Sequence, residues 1–149
     1  MTWVDTAVVV LCTGIALLEA RRGFLAAALD LAGIVVVTMV ATRYSADLTG
    51  SLSPGIAFLV LFVLLAAAVV AGVKFANDAL KFDIGPFDSA LAGLIGVATG
   101  VSVSYALCEF LNLNAGGTSA AVAGSVLAPQ VHDFRLYHGL IAFLRRLGE

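Results

Sequence analysis

Residues 82–111 read FDIGPFDSALAGLIGVATGVSVSYALCEFL, and this stretch holds the densest set of residues that a generic lipid-spanning helix would not require. Gly85-Pro86 breaks whatever precedes it, and Asp88 falls in the first turn of a new helix. A long apolar run follows, interrupted only by small residues. Ala92, Gly96 and Gly100 recur every four residues and so share one helix face, with Gly93 beside it. Inside a membrane a face without bulk lets a second backbone approach closely, so the stretch predicts a spanning helix with a packing surface. Glu109, near its far end, is an ionisable group in apolar company.

The rest of the chain shares this apolar character. Apolar residues make up 61% of the 149 and charged ones 12%, against roughly half and a quarter in ordinary soluble domains. Four apolar blocks separated by short polar breaks predict an all-α fold, a four-helix transmembrane bundle with a C-terminal amphipathic helix. The expected organisation is one membrane domain over residues 1–149, with spans at about 3–19, 24–42, 55–73 and 87–111 and an amphipathic tail over 119–147. A net charge of -2 and eight scattered Lys/Arg leave no basic patch to grip nucleic acid. The expected partners are the lipid bilayer and either a second copy of the chain or another membrane protein.

In chain order, Trp3 and Asp5 precede the first apolar run and Arg21 and Arg22 follow it, the reverse of a cleavable signal. The run reads as a retained first span with an interfacial Trp; its shortness leaves a tilted re-entrant segment as the alternative. The break Glu19-Ala20-Arg21-Arg22-Gly23-Phe24 is so short that it predicts an antiparallel hairpin. The second span carries Asp30, a carboxylate costing about 2.5–3.5 kcal/mol at a bilayer centre unless it faces protein or water. Its plain reading is a neutral or hydrogen-bonded group that fixes packing; its functional reading is a transport or proton-relay group. Pro54-Gly55 opens the third and most uniformly apolar block, and Lys74 to Asp83 reads as an interfacial segment. Pro129 closes the weakly apolar piece Ser119 to Leu127. From Val131 to Leu147, Phe134, Tyr137, Leu140, Ile141, Leu144 and Leu147 recur at helical steps opposite Arg135, His138, Arg145 and Arg146.

Cys12 and Cys108 lie inside apolar blocks with no metal-type spacing and read as packing residues, an inter-helix disulfide being the alternative. No Gly-x-Ser-x-Gly, zinc-type His pair or dinucleotide fingerprint occurs, and His132 and His138 do not share a helix face. The chain is therefore expected to be no enzyme and to use no cofactor or metal. Lys and Arg flanking the spans place Arg21, Arg22, Lys74 and Lys81 on one side against Arg43 on the other, which predicts both termini outside the cytoplasm.

Taken together, Trp3-Val4-Asp5, the Arg21-Arg22-Gly23-Phe24 hairpin, and Asp88 followed by Gly93, Gly96 and Gly100 resemble the colicin V production protein family of bacterial inner-membrane proteins. The likeness covers the first 111 residues, departing at Ala26, Ala27 and Ser89, where charged residues are common in the family. It implies an accessory or scaffold role in production or export of a peptide toxin, or in envelope homeostasis, exerted through helix–helix contacts. The alternative is an oligomeric transporter or channel component in which Asp30, Glu109 and Asp88 line a polar path.

Overall fold

The computed structural model describes residues 2–48, 53–80, 85 and 87–132. It contains four long helices, α1 (Trp3–Arg22), α2 (Phe24–Tyr44), α3 (Pro54–Leu80) and α4 (Asp88–Ala115), then two short ones, α5 (Ala120–Ala123) and α6 (Ala128–His132). A 3₁₀ turn, Ser45–Leu48, follows α2. There is no strand among the described residues, and all four long helices are long and apolar enough to cross a membrane. The expected amphipathic helix lies outside the described residues beyond His132.

Single residues mark most of the boundaries. Gly23 both ends α1 and begins α2: its N–H reaches Glu19 O at 3.1 Å and its carbonyl accepts from Ala27 N at 3.1 Å. Its φ of +92° is the left-handed region that glycine enters without steric cost. At the end of α4, Gly116 has φ +67° and the N–H of Gly117 returns to Asn112 O at 3.1 Å, a glycine stop of the Schellman kind.

α4 organises the bundle. It packs along the length of α1 and, less extensively, along α2, while α3 lies chiefly against α2. The short hairpin does turn the chain back on itself, yet α1 and α2 touch little: Cys12, Ala16 and Ala20 of α1 meet the glycines of α4, while Gly33 of α2 meets Val69 of α3. From Lys74 to Leu80 the expected interfacial segment continues α3 as one helix, since its charges include no helix breaker, and residues 81–83 lie outside the described residues. Pro129 falls within the first turn of α6, where its missing N–H breaks no helical bond, so it opens a helix rather than closing a segment.

The interior is built from small side chains. Ala26, Ala27, Ala41, Ala92 and Ala128 are fully buried, and the large fully buried group is Phe58, stacked on Phe62 with ring centroids 6.0 Å apart. Hydroxyls inside the spans bond back to their own helix: Thr38 donates to Ile34 O at 2.8 Å and Ser104 to Gly100 O at 2.8 Å. Thr99 and Ser102 do the same, so none of these groups is left unpaired in lipid. Cys108 lies in the core and Cys12 packs against it, both as free thiols.

Candidate functional site

Polar side chains gather at two ends of the bundle. At the hairpin end, the left-handed turn at Gly23 points the N–H of Phe24 at Asp88, whose Oδ2 accepts it at 3.1 Å. A Cβ on Gly23 would sit 2.6 Å from that same oxygen, so any larger residue displaces the Asp88 carboxylate as well as straining the backbone angle. Asp88 thereby ties the first helical turn of α4 to the start of α2, 64 residues earlier in the chain. The Asn77 carboxamide of α3 approaches from a third side and donates to Arg22 O at 3.5 Å.

Arg22 lies beside this knot. Its Nη1 donates to Glu19 Oε1 at 3.2 Å, one turn back on α1, and also to Asp30 Oδ2 on α2. The carboxylate side chains are 6% and 3% exposed, whereas Arg22 is 29% exposed. Arg22 is thus the one member of the trio that reaches solvent. Each carboxylate keeps a second oxygen, Glu19 Oε2 and Asp30 Oδ1, that is buried without a hydrogen-bond partner. Arg21 points outward and is exposed.

The small-residue face of α4 meets α1 directly above this cluster. A Cβ on Gly96 would lie 2.7 Å from Ala16 Cα, and one on Gly100 would lie 2.5 Å from Cys12 Cα. Both encounters are with backbone atoms, which cannot swing aside. Gly93 has more room, its nearest neighbour being Ala20 Cβ at 3.6 Å, and Ala92 is fully buried. Glu109 is not part of the cluster: it lies 21 residues beyond Asp88 on the same helix, on the order of 30 Å at 1.5 Å per residue.

At the opposite end, Asp5 is fully buried and accepts four hydrogen bonds. Its Oδ2 takes the Thr2 N–H at 2.7 Å; its Oδ1 takes the Ser125 hydroxyl at 2.6 Å and the N–H groups of Val126 and Leu127 at 2.9 Å. Ser125 Oγ in turn accepts from Ala128 N at 2.9 Å, and the Thr2 hydroxyl donates to Ala121 O at 3.2 Å. The start of α1 and the chain after α4 therefore share one end of the bundle.

The sequence places Glu19 at the hairpin and Asp5 at the start of the first span but gives neither a partner outright. The spacing of Glu19 and Arg22, three residues apart on one helix, is a signal for the first. The Thr-x-x-Asp pattern at Thr2 marks Asp5 as a helix-start residue, but its distant partners leave no local trace. Among the described residues, no group of three His, Cys, Asp or Glu side chains could hold a metal ion.

Four apolar helices, a glycine-lined crossing and charged side chains confined to the bundle ends define a small multi-pass membrane protein. Residues 4–135 match the family described as Colicin V production protein, and the chain belongs to that family. No curated protein and no solved structure matches the chain.

Proposed function

We propose that the chain is an accessory scaffold of the bacterial inner membrane that acts through contacts with other membrane helices, in toxin production or export or in envelope homeostasis. The observation that carries this reading is the state of α3. Only 17% of its spanning stretch is buried, against 22% in α1 and 44% in α2 and in α4, and Ile56, Val60, Val63 and Leu64 stand exposed along it. The glycine face of α4 is occupied by α1 within the chain, which leaves α3, the least buried of the four helices, as the face for a partner. In the proposed orientation Arg21, Arg22 and Lys74 face the cytoplasm and the start of α1 lies on the periplasmic side.

The test is photocrosslinking in native membranes from probes placed singly at Val63 and Leu64, with a probe at Trp3 for comparison. Protein adducts from the α3 positions are expected, and adducts to lipid alone would overturn the scaffold reading. Adducts between two copies of the chain would instead favour the second reading, an oligomeric transport component. One observation supports that second reading: Glu19 and Asp30 are buried carboxylates sharing one guanidinium.

A further inference from the structure

We infer that Glu19 and Asp30 together form a single proton-binding site at the hairpin end of the bundle. Both recorded ion pairs of these carboxylates go to the same atom, Arg22 Nη1. With both carboxylates ionised the trio carries one negative charge in excess, on side chains only 6% and 3% exposed. Removing an unpaired charge from water is costly enough that a buried group takes up or gives up a proton instead.

Among the described residues the surroundings supply no second cation. On α1, Arg21 is exposed, as are Lys74 and Asp78 on α3. The α3 group that reaches the hairpin is the uncharged Asn77 carboxamide, spent on Arg22 O. From α4, Asp88 is engaged with the Phe24 N–H, and the face opposite Glu19 is Gly96, which brings no polar side chain.

Hydrogen bonding leads to the same result independently. Glu19 Oε2 and Asp30 Oδ1 are buried acceptors with no donor. An ionised carboxylate can only accept, whereas a protonated one carries a donor. One proton, forming one O–H bond within the pair, cancels the excess charge and gives the cluster the donor it lacks. Two carboxylates that share a site hold such a proton jointly. The proton comes from water at the hairpin end and returns there, past Arg22, whose side chain is 29% exposed. No other reactant is consumed.

Infrared difference spectroscopy on the full chain in lipid vesicles tests the site. At neutral pH solvent-facing carboxylates are ionised. The wild type is therefore expected to show the C=O stretch of one protonated carboxyl, shifted in D2O and abolished at alkaline pH. Glu19→Gln and Asp30→Asn each leave one carboxylate matched to one guanidinium, and both are expected to lose the band, whereas Asp88→Asn should keep it. Absence of the band in the wild type overturns the proposal, and that measurement stands even if a variant fails to assemble. Persistence of the band in both Glu19→Gln and Asp30→Asn overturns it as well. So does a band that responds to sodium concentration at fixed pH, which would assign the site to a metal cation.

Discussion

Asp88 accepts the backbone N–H of Phe24, and Gly23 makes the approach possible. Asp88→Ala removes a charge-assisted hydrogen bond worth about 1.5–3 kcal/mol. It should lower thermal stability in detergent by that order, with Asp88→Asn losing less because an acceptor oxygen remains. A second comparison separates space from backbone angle. Gly23 and Gly85 have nearly equal positive φ, +92° and +88°, but among the described residues only Gly23 has a neighbour within 4 Å of its absent Cβ. Gly85→Ala should cost roughly 1–2 kcal/mol for the left-handed backbone alone. Gly23→Ala should cost visibly more, because Asp88 is displaced too; equal melting temperatures would refute the close approach. From sequence, Asp30 was legible as an anomaly because a carboxylate in an apolar run has no local excuse. Its partnership with Arg22 spans eight residues and a reversal of chain direction, which no helical periodicity encodes.

For the elements, the informative contact is the crossing of α4 over α1. Added methyl groups at Gly96 and Gly100 would meet backbone at 2.7 and 2.5 Å, so the helices themselves must separate. Gly96→Ala and Gly100→Ala are expected to destabilise by roughly 1–3 kcal/mol, the usual range for overpacking. At Gly93 the nearest atom is an ordinary 3.6 Å away, and Val97 is 44% exposed, so Gly93→Ala and Val97→Leu should be nearly neutral. Similar melting temperatures for Gly93→Ala and Gly96→Ala would show that the crossing is looser than described. The four-residue spacing of the small residues is local information and can be read directly. Which helix fills the space is not local: α1 lies some eighty residues away and offers Cys12 and Ala16 in otherwise ordinary apolar sequence. The continuation of α3 to Leu80 was obscured for a different reason, because charge marks the membrane boundary but does not stop a helix.

Across the whole molecule, the chain has two ends with different polar content. The hairpin, Asn77 and Asp88 lie at one; Thr2, the 3₁₀ turn and residues 119–128 lie at the other. Cysteines introduced singly at the exposed positions Asp47 and Asp78 should therefore label from opposite faces of the membrane, Asp78 from the cytoplasmic one. Labelling of both from one face would break the four-span topology, and labelling of Asp78 from the periplasm would invert the orientation. Span number was readable because lipid imposes length and apolarity on every crossing. The return of the chain after α4 onto the start of α1 was not, because it depends on one carboxylate and three donors about 120 residues later.

That return has a consequence for the timing of synthesis. While α1 is first being inserted, Asp5 has its local Thr2 N–H but none of the groups at Ser125, Val126 and Leu127, which the ribosome has yet to make. The helix that enters the membrane early is thus locked in place late, after α4 has crossed. A nascent chain arrested before Ser125 should be cut readily by protease near Asp5, and one released after Ala128 should resist. Completion of the bundle is in this way reported at its own beginning.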